Sequence, residues 1–173
     1  MKTAKDISLI GIFTALLIGG QFALNFISGV EIVTVLLLSF AYYFGWQRSF
    51  LAVNAFSFLR CFIFGFFPNV MILYFVYYNL FVAVFSLLGL KFGKTITTKS
   101  HVILIITAVL MTVSFTVFDN IITPVYYKFS LETTKAYWIT SLTAVVPQVI
   151  CTLITVLILL PVLIKIYKST GLK

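Results

Sequence analysis

The sequence predicts an all-α integral membrane protein, a bundle of six transmembrane helices with its N- and C-termini in the cytoplasm. Three observations predict it. First, 62% of the 173 residues are hydrophobic and only 9% are charged, with a mean hydropathy of +1.16. A water-soluble fold of this length has too little polar surface to cover so much apolar matter, whereas lipid tolerates it. Second, the apolar residues fall into six runs parted by short turns. A span needs ~20 apolar residues, so six spans consume nearly the whole chain. Third, the bases are asymmetric. Lys2, Lys5, Arg48, Lys91, Lys94, Lys99, Lys165, Lys168 and Lys173, nine of the twelve Lys and Arg residues, fall at the chain ends or in even-numbered turns. Lys128 and Lys135 alone occupy an odd-numbered turn, with Glu132 between them, and Arg60 lies inside an apolar run. Positive residues stay on the cytoplasmic side of short loops.

The elements follow in order. The first helix covers about 7–26, and Ser28-Gly29 makes a tight external turn. Its positive flank and apolar run are followed by no small-residue cleavage site, so it reads as a retained helix. The second covers about 31–44 and ends at Gly45; Trp46, Gln47 and Arg48 form an internal turn. The third runs to about Gly65, and Pro68-Asn69 turns the chain outside. The fourth covers about 70–90, followed by the longest polar internal stretch, 91–100. The fifth begins near His101 and ends before Pro124. Residues 126–135 form the largest external loop, and the sixth helix covers about 136–167. Pro147 and Pro161 lie inside it and predict local kinks or breaks, since each removes a backbone donor. Residues 1–173 read as one membrane domain with no room for a soluble catalytic one.

The net charge of +8 does not point to nucleic acid. The bases are dispersed over turns at the level of anionic lipid headgroups. Cys61 and Cys151 fall within apolar runs and predict neither a disulfide nor a metal site. No Gly-rich loop ending in Lys-Ser/Thr is present, so the chain itself does not hydrolyse ATP. No metalloprotease motif or Ser/His/Asp set occurs, and His101 sits at an inner helix end. The chain is not read as an enzyme and calls for no cofactor.

Two patterns carry function. Gly11, Ala15, Gly19 and Ala23 recur at spacing four on one face of the first helix. Missing side chains let another helix approach closely, either inside this bundle or in another subunit. The second pattern is one of depth. Arg60 stands twelve residues after Arg48, ~18 Å further along the third helix at 1.5 Å per residue. Gln21, Asn25, Glu31, Asp119 and Asn120 fall in the same outer half. So do Tyr137, Trp138, Thr140 and Ser141, with Asn79 and Gln148 deeper. An ionisable or amide group in a span is costly unless paired or wet. Their shared level therefore predicts an outward-open pocket, walled by Phe62, Phe66, Tyr74, Tyr77 and Tyr78. Arg60 either borders it or forms an ion pair with Glu31 or Asp119. Asn79 and Gln148 are alternatively interhelical hydrogen-bond partners, and Trp138 part of an interfacial belt.

On these residues the whole chain resembles the substrate-binding S components of energy-coupling factor (ECF) vitamin transporters. That family docks its transmembrane coupling subunit through an Ala-x-x-x-Ala-like motif on its first helix. Gly11 to Ala15, extended by Gly19, is the nearest match here. The segments GVEIVTVLLLSFAYYFG and KAYWITSLTAVVPQVICTLITVLIL look like second and sixth helices of such proteins. The resemblance implies a plasma-membrane, bacterial subunit of an ABC importer. It would capture a vitamin or related micronutrient, an aromatic heterocycle or a corrinoid, from outside. It would then dock on a coupling subunit driven by two cytoplasmic ATPases and topple to release its substrate inside. The implied binding residues are Arg60, Asn25, Glu31, Asn79, Asp119, Trp138, Ser141, Gln148, Tyr74 and Tyr78. A stand-alone secondary transporter or channel, and a membrane subunit of another complex, are the alternatives.

Overall fold

A computed structural model describes residues 4–27 and 29–171, and every regular element among them is a helix. Lys2 and Lys173 of the charge pattern and Ser28 of the first turn lie outside the described residues. The order is α1 (Ala4–Leu24), α2 (Val33–Phe44), α3 (Trp46–Phe64), α4 (Pro68–Phe92), α5 (Thr98–Tyr127) and α6 (Leu131–Ser169). Four of them, α1, α4, α5 and α6, are long and apolar enough to cross a membrane, as in a multi-pass membrane protein.

The centre is α2. A helix that is apolar all round belongs in a core, and all 12 residues of α2 are buried. It packs against each of the other five helices. Around it, α1 packs on α3, α3 on α4, α4 on α5 and α5 on α6, while α1 and α6 do not meet. Phe13 of α1 stacks on Phe40 of α2 with ring centroids 3.8 Å apart. Gly89 of α4 lies against the Tyr42 carbonyl so closely that a Cβ would collide with it.

The segment between α1 and α2 bridges the gap left between α1 and α6. The Gly29 backbone abuts Pro147 of α6. The Glu31 N–H donates to Cys151 Sγ at 3.4 Å, and that thiol donates back to the Glu31 carbonyl at 3.3 Å. Both cysteines are free thiols.

Side-chain contacts gather the bases at one end of the bundle. Arg48 at the start of α3 pairs with Asp6 at the start of α1, 2.8 Å away. The Lys94 ammonium lies 5.7 Å from the Tyr43 ring centroid, and Tyr42 donates to the Thr95 carbonyl at 2.7 Å. Tyr43 and Phe44 meet Tyr167 near the end of α6. At the other end, Asn69 at the start of α4 donates to Thr123 Oγ1 at 3.0 Å and accepts from Tyr127 at 3.2 Å, both on α5.

Several element boundaries differ from the sequence expectation, each for a local reason. Gly45 at φ +80° reverses the chain alone, so Trp46, Gln47 and Arg48 form the first turn of α3. Only glycine adopts that conformation without strain. α5 starts at Thr98 because Thr97 and Ser100 form a capping box. It also continues through Pro124 to Tyr127, giving up the bond from that position to the carbonyl four residues back. The broad external loop shrinks to 128–130. Ser130 caps α6 by accepting from the Thr133 N–H at 3.2 Å, and Glu132 sits in the favourable first turn. α6 runs unbroken past both Pro147 and Pro161.

Candidate functional site

At the end remote from the clustered bases, a cavity of about 240 Å³ opens beneath the α1–α2 segment. α4 supplies Tyr74, Tyr77 and Tyr78, whose spacing puts all three on one helix face. Thr112 and Phe115 of α5 and Gln148 of α6 close the far wall. Gln21 of α1, Asn25, Glu31 and Thr34 of α2 complete it.

Glu31 is the acidic centre. Its Oε1 accepts from Thr34 Oγ1 at 2.8 Å, and Gln148 is a second hydrogen-bond partner. Burial strips the carboxylate of water and raises its pKa above the ordinary range; the bonds from Thr34 and Gln148 oppose that rise. Gln21 Nε2 donates to the Tyr74 hydroxyl at 3.2 Å, while its Oε1 is buried with no partner. Tyr77 donates to the Met111 carbonyl at 2.8 Å, which fixes its ring against the cavity.

A second cavity of about 280 Å³ shares the Phe115 and Gln148 walls and extends between α5 and α6. Thr116, Asp119, Tyr137, Thr140 and Ser141 line it. Asp119 Oδ2 accepts from the Tyr137 hydroxyl and Oδ1 from Thr123, both at 2.7 Å. Asn120 Nδ2 donates to Ser141 Oγ at 2.6 Å.

The sequence-derived site therefore divides. Asn25, Glu31, Tyr74, Tyr78 and Gln148 line the first cavity, and Asp119, Ser141 and Gln148 the second. Arg60 lines neither and makes no ion pair among the described residues. Its guanidinium stacks 4.4 Å from the Tyr74 ring centroid and 5.2 Å from that of Phe64, with Nε buried and unbonded. The expected pairing with Glu31 or Asp119 does not form; Arg60 is one side chain removed from the cavity. Asn79 pairs reciprocally with Asn54 at 3.0 and 3.2 Å, a link between α3 and α4 away from both cavities. Trp138 points outward, 39% exposed. Phe62 and Phe66 are 75% and 67% exposed and wall nothing. Depth along a helix is readable from residue count, but the direction of a side chain around it depends on which neighbours it meets.

Phe115, Thr112 and Thr34 escaped the sequence reading. The first two had a signal. They lie one and two turns before Asp119 on the same face of α5.

The small-residue face of α1 is turned outward. Gly11, Ala15 and Gly19 are exposed, and a Cβ at Gly11 or Gly19 would meet nothing. With Ile18 and Phe22, and with Ala55, Leu59 and Ile63 of α3, they line an open apolar groove. The opposite face, through Phe13, Thr14 and Leu17, is the one buried in the bundle. Comparison of the chain with known protein families, with characterised proteins and with solved structures finds no match.

Proposed function

We propose that this chain is the substrate-binding membrane subunit of an ECF-type importer. It crosses a bacterial plasma membrane six times with both ends cytoplasmic. It captures a small vitamin-type molecule from outside and docks on a transmembrane coupling subunit powered by two cytoplasmic ATPases. In this reading the basic end faces the cytoplasm and the cavity end the exterior, in keeping with the positive-inside rule. Glu31, Gln21, Gln148 and the α4 tyrosines hold the substrate, and the Asp119 cavity is its outer antechamber. A volume of about 240 Å³ lies below the ~300–1,000 Å³ typical of drug-sized ligands. It favours a one- or two-ring heterocycle over a corrinoid.

The observation that carries the reading is the outward small-residue face of α1. Such faces serve close helix–helix approach, yet Gly11, Ala15 and Gly19 are exposed, and a Cβ added at either glycine would meet nothing among the described residues. Ala15→Trp tests it. The ring would hold a docking helix several ångströms away, so uptake in cells carrying the coupling module should fall to background while substrate binding persists. Normal uptake by the variant would overturn the docking reading. Uptake by the isolated chain in proteoliposomes would favour a stand-alone transporter.

A further inference from the structure

We propose that the Glu31 cavity takes an organic cation, a small aromatic or heterocyclic molecule bearing a protonated or quaternary nitrogen. This rests on the reading of that cavity as the substrate site and names the substrate's charge. The first argument is where the charges lie. The chain holds twelve Lys and Arg but only four Asp and Glu. Two of the four acids have structural duties. Asp6 pairs with Arg48 at 2.8 Å. Glu132 sits exposed in the first turn of α6, where the helix dipole favours it. The other two, Glu31 and Asp119, each line one of the adjoining cavities. Among the described residues no Lys, Arg or His lines either. In so basic a chain this is the reverse of what composition alone would place there.

The second argument is hydrogen-bonding capacity. Among the described residues, the side-chain partners that hold the Glu31 carboxylate are the neutral Thr34 and Gln148. A carboxylate withdrawn from water is unfavourable until a positive group pairs with it. The buried Oε1 of Gln21 is a further acceptor, with no donor among the described residues. An N–H-bearing cation satisfies both and a quaternary one supplies the charge alone, whereas an anion would meet a carboxylate and no positive group in the lining. The third is the walls. Tyr77, Tyr78 and Phe115 line the cavity, and aromatic rings attract a cation at close range. Arg60 lies against the Tyr74 ring, outside the cavity lining; its charge reaches Tyr74 and Tyr78, while the partners that act on Glu31 itself are neutral.

The test uses the purified full chain in lipid nanodiscs, with calorimetry at low salt. The probes are benzylammonium and N-methylpyridinium as cations, benzyl alcohol as the neutral analogue and benzoate as the anion. Both cations should bind, benzyl alcohol at least tenfold more weakly than benzylammonium, roughly the worth of one charge-assisted hydrogen bond, and more weakly than N-methylpyridinium, and benzoate not at all. Glu31→Gln, equal in shape, should weaken the cations about 10–100-fold and leave benzyl alcohol unchanged. The wild-type comparison of cation with alcohol needs no variant, so the idea stays exposed even if Glu31→Gln folds poorly. Benzoate binding as tightly as the cations, full cation affinity in Glu31→Gln, or binding of none of the four would overturn it. Failure of the importer reading shows separately. Cation binding at Glu31 without any coupling-dependent uptake would sink that reading and leave this one standing. An anion retained by an active importer would do the reverse.

Discussion

Glu31 is where a single side chain has the clearest consequence. Facing it are the Tyr74, Tyr77 and Tyr78 hydroxyls of α4, with Arg60 behind Tyr74. Its folded-state pKa lies above the ordinary carboxylate value, chiefly from desolvation. The folded protein therefore holds this proton more tightly than the unfolded chain does. The stability contribution is full below the ordinary carboxylate range and is lost as pH rises through the raised value. Glu31→Gln removes that loss. Ligand-free Glu31→Gln should melt above wild type at neutral pH, and the gap should close in acid; a variant that melts lower at neutral pH would contradict the burial argument. Arg60 gives a second prediction. Lys keeps the charge but loses the planar stack on Tyr74 and Phe64. Arg60→Lys should lower stability by about 0.5–1 kcal/mol and weaken ligand binding less than Glu31→Gln does. An affinity loss as large as that of Glu31→Gln would place Arg60 in direct contact with ligand.

Among the helices, α4 and α1 make opposite use of small residues. At Gly89 the absent side chain lets α4 rest on the α2 backbone at Tyr42. Gly89→Ala forces these helices apart and should cost about 1–3 kcal/mol or more, read as a lower melting temperature and a reduced folded yield. On α1 the small face is exposed, with open space at Gly11 and Gly19 among the described residues. Ala15→Trp should therefore leave the melting temperature of the isolated chain within about 0.5 kcal/mol of wild type. A collapse of folded yield would mean that the groove is part of this bundle's own packing.

For the molecule as a whole, the two ends differ in charge and in content. Arg48, Lys94 and the end of α6 meet at one, the cavities lie at the other. Six membrane crossings would put these ends on opposite sides of the bilayer. In a background with Cys61 and Cys151 replaced by Ser, a cysteine at Thr133 should react with an impermeant maleimide on intact cells. One at Thr98 should react only after permeabilisation. Thr98 is preferred to Thr97, whose side chain caps α5. The reverse labelling would invert the molecule and put the cavity in the cytoplasm.

The all-helical architecture, the number of helices and the clustering of bases at one end could all be read from the residues in order. Hydropathy and charge position act along the chain and need no tertiary contact to be read. The turn chemistry at Gly45, Thr97 and Ser130 was equally local, and the boundaries missed there were misread signals. What could not be read was direction around each helix axis. Apolar residues face lipid and core alike in such a chain, so no amphipathic stripe marks the interior. Phe62 and Tyr74 look equivalent in sequence, yet one lies at the surface and the other walls the cavity. Arg60 and Glu31 share a level but are kept apart by packing on Tyr74, and Asn79 finds Asn54 first. Depth is a one-dimensional property and follows from counting residues. Which side chains meet is set by helix rotation and neighbour choice, and those arise only when the other five helices close around α2.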